Sequence, residues 1–199
     1  PGGGETLGVT ERSGLPRPTH VLLRGRVATP GKEVDPGFPQ VLSQPNTEEF
    51  AIPSDRSGGD KSTGRRLALA RWIASSENPL TSRVLANRLW HYHFGRGIVS
   101  TPSDFGKTGI PPTHPELLDY LASKLIESNW RLKPLHKQIM LSATYRQSSR
   151  ATDPKGLSID PENKLLWRQN VRRLEAEAIR DAVLATSGQL NLTAGGRGF

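Results

Sequence analysis

Four segments decide the architecture of this chain: RRLALARWIA (65–74), PLTSRVLANRLWHYHFG (79–95), THPELLDYLASKLIESNW (113–130) and PLHKQIMLSATY (134–145). Each carries apolar residues at helical spacing and is flanked by residues that start or stop helices. The first predicts a helix over about Arg65–Ser75, with Leu69, Trp72 and Ile73 on one side. Asn78 is placed to cap a second helix that Pro79 opens, and Gly95 to stop it after Phe94. Thr113 and Glu116 have the T-x-x-E spacing of a capping box, with Pro115 in the first turn. Behind them Leu117, Leu118, Leu121, Ala122 and Leu125 form a continuous apolar stripe. Pro134 opens a fourth helix ending near Tyr145, and the Ala-rich stretch from Arg173 to about Leu190 predicts a fifth.

Outside these segments, periodicity gives way to turn and loop residues. Pro1–Pro18 is Gly- and Pro-rich and predicts an irregular lead-in. HVLLRGRVA (20–28) has the branched residues of a strand, followed by turn signals at Pro30-Gly31 and Pro36-Gly37. Val41-Leu42 reads as a second short strand or an apolar anchor, and Ser54–Gly64 as a polar linker. Gly95–Pro112 and Arg150–Asn163 are expected to be loops. The expected fold is therefore mainly α: one helical domain of about five amphipathic helices over residues 64–199. An irregular arm with a short β-hairpin and the linker occupies residues 1–63. The chain starts without Met and ends in AGGRGF, which reads as a cut inside a loop and predicts a piece of a longer protein.

Of 199 residues, 34% are hydrophobic, 20 are Gly and 16 are Pro, a balance that suits a helical core with long irregular arms. The net charge of +8 admits nucleic acid or another anionic polymer as a partner. The basic residues are spread through every segment, which equally fits a solvated surface. With no cysteine, the chain cannot hold a disulfide, a thiolate metal site or a Cys-x-x-Cys-His haem attachment. No run approaches the ~18 apolar residues of a membrane span, and PGGGETLG lacks the basic start and apolar middle of a signal peptide.

The residues that can carry chemistry are polar groups on apolar helix faces. At 100° per residue, Leu85, Ala86, Leu89, Trp90 and Tyr92 form one arc with His93 in its middle. His91 falls nearly opposite, beside Asn87 and Arg88, so His91 and His93 cannot share a metal on an intact helix. In the fourth helix Leu132, Leu135, Ile139 and Ala143 define the apolar face, and His136 lies among them. In the fifth, Glu175 shares the side of Ala178, Ile179, Ala182 and Val183. A buried imidazole or carboxylate needs a partner. His93, His136 and Glu175 are therefore expected either to satisfy one another in an interior network or, if they meet a cleft, to act as base and acid. Arg146, Arg172 or Arg173 is an alternative partner for Glu175. The long loop adds Asp104 and His114, with Asp104 expected to bond backbone amides in a local turn. Candidate binding residues are Arg88, Arg96, Lys107, His114, Trp130 and Trp167, the two tryptophans lying near helix ends. The glycines do not match a phosphate-binding loop, and G-x-S-x-G and H-E-x-x-H are absent. D-F-G occurs at 104–106 without a kinase H-R-D motif. No metal site and no cofactor is assigned to this chain.

The strings RLALARWI, NPLTSRVLANRLWHYHFGRGIV, TPSDFG, PPTHPELLDYLA, LSATYRQSS, DPENKLLWR and RRLEAEAIRDA occur in this order. Upstream stand VLLRGR and PGKEVDPGFP. Through them the chain resembles the planctomycete-type PSD domain of unknown function, over nearly its whole length. The resemblance implies the C-terminal part of a large exported protein whose upstream modules include a cytochrome-c-like domain. It implies an extracytoplasmic location near redox or polysaccharide-processing machinery, with any haem in an upstream module. It implies no catalytic residue. The expected function is an accessory or interaction domain whose partners are upstream domains of the same polypeptide and polysaccharide or another anionic polymer. A hydrolase-like or metal-assisted enzyme built on the His/Glu/Asp cluster is the alternative, and nucleic-acid binding through the basic surface a further one.

Overall fold

A computed structural model of the chain describes residues 18–42, 63–150 and 152–193. The chain is mainly helical with a small N-terminal two-stranded antiparallel hairpin, as the periodicity predicts. The Pro1–Pro18 lead-in (apart from Pro18), most of the Ser54–Gly64 linker and the AGGRGF end lie outside the described residues. The backbone divides into two compact units, residues 1–86 with 119–130 and residues 87–118 with 131–199.

In the first unit, β1 (Thr19–Leu22) pairs with β2 (Pro30–Val34), placing Thr19 opposite Val34 and His20 opposite Glu33. The strand expected over residues 20–28 stops at Leu22, because Arg24 and Gly25 take left-handed backbone angles (φ 53° and 70°) and reverse the chain. Thr29 closes that reversal by donating its N–H to Arg26 O and its hydroxyl to Leu23 O. Pro30-Gly31, expected as a turn, belongs to β2 instead. Proline is accommodated there because the first residue of a strand can do without an N–H. Val41 and Leu42 lie in a short 3-10 turn, Gln40–Leu42, so they do not form a strand; Val41 is exposed and Leu42 half-buried.

α1 spans Arg65–Ala74. Its buried residue is Ala68, whereas Leu69 and Ile73 are exposed; Trp72 stacks on Phe38 with ring centroids 4.9 Å apart. Asn78 is buried and its Oδ1 accepts from the N–H groups of Leu80 (3.0 Å) and Thr81 (3.2 Å). This satisfies donors that the helix cannot, and α2 (Thr81–Phe94) begins just after the Pro79-Leu80 turn. α3 spans Pro115–Glu127, and its stripe residues Leu121, Ala122 and Leu125 are buried. Arg83 and Asp119 meet at 2.6 Å on the surface, where such a pair adds less than about 1 kcal/mol.

In the second unit, Leu89, Trp90, Phe94, Ile98, Val99, Leu118, Leu135 and Ile139 are buried. Trp90 stacks on Phe94 at 4.1 Å. Gly95 ends α2 with φ 78°, donating to His91 O, as its position after Phe94 predicts. The Gly95–Pro112 segment is irregular, yet its Ile98 and Val99 are core residues. α4 runs Leu132–Leu141, starting before Pro134, which the first turn tolerates because its N–H has no helical acceptor. It stops before Tyr145 because Ser142 is extended and donates its hydroxyl to Ile139 O at 2.7 Å. A short helix not expected from periodicity, α5 (Pro154–Ile159), is capped by Asp153, whose side chain accepts from Lys155 N–H. α6 spans Ala176–Thr186, shorter than the expected helix. Its expected core face is corrected: Ala178, Ile179, Ala182 and Val183 are all exposed. No helix among the described residues is long and apolar enough to cross a membrane.

Candidate functional site

The buried arc of α2 holds Ala86, Leu89, Trp90 and Phe94, with Asn87 at its margin. Tyr92, assigned to this arc from spacing, is exposed instead, because it projects from the far side of the helix. His93 does fall inside the arc. Its Nε2 lies 2.8 Å from Nδ1 of His136 on α4, so one ring donates a hydrogen bond to the other. The rings meet edge to face at 63°, and Tyr145 presents a third ring edge-on at 5.5 Å from His93. Tyr145 also abuts Phe94, so the apolar core forms one wall of the pair. Both imidazoles are half-buried. Arg172 stands close by, its guanidinium donating to Tyr92 O at 2.6 Å.

Partial burial holds the pKa of His93 below its ordinary value of 6.5, reinforced by the neighbouring His136 ring and by the Arg172 charge. As pH falls below that ordinary value, the unfolded chain takes up this proton before the folded chain does. Stability is therefore lost in the window between 6.5 and the lowered folded value, and is unaffected by this group above it. Melting temperature is expected to fall as pH is lowered through 6.5, and to fall less steeply in His93→Gln. Identical slopes in the two proteins would show that the pair does not govern this dependence.

The other predicted residues do not join the pair. Glu175 is exposed at the N-cap of α6, so the expected three-way network with His93 and His136 does not form; the helix that carries it turns the residue to solvent. Its proposed partner Arg172 is engaged with Tyr92 O. His91 lies with its ring edge-on to Tyr92, 5.9 Å away, apart from the His93 contact. Asp104 forms the local turn expected of it, accepting from Gly106 N–H and the Thr108 hydroxyl, and these two bonds lower its pKa. His114 Nδ1 is 2.9 Å from the Thr113 hydroxyl, which also donates to Ile98 O. The expected capping box does not form: α3 begins at Pro115, one residue too late for Thr113 to be its N-cap, and the Thr113 N–H that Glu116 would accept goes to Ile98 O.

Among the candidate binding residues, Arg88 and Lys107 are exposed, and Arg96 lies 4.0 Å from Glu162. Trp130 is half-buried with φ 59°, its N–H bonded to Leu125 O at the end of α3. Trp167 is not a free stacking platform. Its Nε1–H donates to Asp160 O, and a Cβ on Gly156 would lie 2.7 Å from its ring.

Two polar clasps were not singled out by sequence reasoning. Asn87, fully buried, donates to Val99 O (3.0 Å) and accepts from Val99 N–H (2.8 Å), pinning the loop after α2. Asn163 binds both backbone groups of Arg168 and the side chain of Asn170, which in turn donates to Phe94 O. The available signal for Asn87 was a poor helix former set beside an apolar arc. In the first unit a cavity of ≈ 400 Å³ lies between the hairpin and α1, lined by Glu33, Asp35 and Arg65 among others.

A family model described as PSD1, protein of unknown function (DUF1553), matches residues 65–199. No curated protein matches the chain, and no solved structure does. The matched span takes in α1 to α6 and with them the His93–His136 pair, and the chain belongs to this family of proteins of unknown function.

Proposed function

We propose that this chain is an accessory interaction domain of a larger, exported bacterial protein of planctomycete type, in which it docks against upstream modules that include a cytochrome-c-like domain. The observation that supports this most is the outward apolar face of α6. Ile179 and Val183 lie one turn apart and are 49% and 61% exposed, flanked by exposed Ala182. Leu184, the one half-buried residue of α6 among those described, projects from a different side of the helix. A short amphipathic helix draws most of its stability from covering its apolar face. A face left uncovered within a chain is what a contact with another module would bury. Val171, Leu174 and Leu192 extend the exposed apolar surface along the same part of the sequence.

Hydrogen exchange tests this. α6 is expected to exchange fast in the isolated chain and at least about tenfold more slowly in the longer polypeptide encoded by the same gene. Ile179→Glu with Val183→Glu is expected to abolish that protection while leaving the melting temperature of the isolated chain within about 2 °C, as for surface substitutions. Equal exchange in both contexts, or the lack of a longer polypeptide, would overturn the proposal.

A further inference from the structure

We propose that His93 and His136 form a binding site for a late first-row divalent metal ion, for which zinc(II) is the probe. This inference does not depend on the docking role of α6. The two rings approach nitrogen to nitrogen from α2 and α4, 2.8 Å apart, and both are half-buried, so an ion can reach them from solvent. Neither ring is bonded to a carboxylate among the described residues, and imidazole nitrogens of this kind suit zinc, nickel and copper. On tetrahedral zinc with Zn–N bonds of about 2.0–2.1 Å, two nitrogens stand about 3.4 Å apart. The rings must therefore separate by about half an ångström, a displacement that small side-chain rotations supply. Zinc then replaces the single inter-ring hydrogen bond with two coordinate bonds.

No third His, Cys, Asp or Glu joins this pair among the described residues, so the remaining coordination positions fall to water or an external ligand. That makes the site an exchangeable one, unlike closed four-ligand structural zinc. Arg172 adds a positive charge nearby, which opposes the dication itself and makes an anionic external ligand such as hydroxide or a carboxylate the better completion of the site than a neutral one.

Zinc(II) is titrated calorimetrically into the full 199-residue chain at about pH 7.5, because zinc binds imidazole in its neutral form. One ion per chain is expected. His93→Gln and His136→Gln should each weaken binding at least about tenfold, while His20→Gln, His91→Gln and His114→Gln leave it unchanged. Absence of binding, or binding lost only in the second set, overturns the site. If either first-set variant fails to fold, the imidazole NMR resonances of the native chain decide. Zinc-dependent shifts of His93 and His136 support the site, and shifts confined to the other three histidines, or none, overturn it.

Discussion

Replacing Asn87 with Leu is expected to lower the melting temperature by about 6–12 °C, the equivalent of about 3 kcal/mol in a chain of this size. Leu branches at the same carbon but is larger, so at this fully buried position overpacking adds to the loss. What also changes is Val99, which is 2% exposed and exchanges both its N–H and its carbonyl with the Asn87 amide. Stranding two buried backbone groups costs about 1–3 kcal/mol each before relaxation. Relaxation is limited, because Gly97 packs over the same amide. A Cβ there would stand 2.4 Å from Val99 O and 2.8 Å from both terminal atoms of Asn87. Thermal unfolding with amide exchange at Ile98 and Val99 reads the effect. A shift under about 2 °C, with those amides still protected, would mean that the loop is held by its apolar side chains alone.

The second large effect is expected at Asn163. Its side chain bridges Arg168 O and N–H to Asn170, while its own backbone is left-handed at φ 54° and 98% of its surface is covered. Asn163→Ala removes three hydrogen bonds and puts a Cβ without compensation into a conformation that disfavours it by about 1–2 kcal/mol. A total loss of about 3 kcal/mol is expected. Asn163→Gly removes the same bonds but not the backbone tolerance, so it should be the more stable of the two by about 1 kcal/mol. Equal melting temperatures for Ala and Gly would show that the backbone conformation carries no penalty here. Because Asn170 donates to Phe94 O, both variants should also speed exchange at the end of α2, next to His93.

Much of the local architecture was legible from residue pattern. Asn78 caps where capping chemistry placed it, Gly95 ends α2, and the Leu118–Leu125 stripe of α3 is buried. His93 does interrupt an apolar arc. These features depend on neighbours within about one or two helical turns, and such spacing is written directly in the chain. Local signals also failed where a residue had a more distant competitor. Thr113 had the spacing of a capping box, but Ile98 O, fifteen residues away, takes its backbone N–H. Pro30-Gly31 looked like a turn, but the left-handed pair at Arg24-Gly25 reverses the chain earlier.

By itself, then, the sequence determined the helical class, the N-terminal hairpin, the absence of any thiol chemistry and the presence of histidines on two apolar faces. Only tertiary structure decided that His93 meets His136, 43 residues further on, while Glu175, on an equally plausible face, points to solvent. Periodicity states that a helix has an apolar side; it carries no record of what covers that side. α4 buries Leu135 and Ile139, whereas α6 leaves Ile179 and Val183 exposed, with comparable amphipathic patterns. The same holds for Asn87, whose polarity at the margin of a buried arc makes sense only once Val99 is folded back to receive it. Backbone partners at such separations are set by chain topology, which no local window of residues encodes.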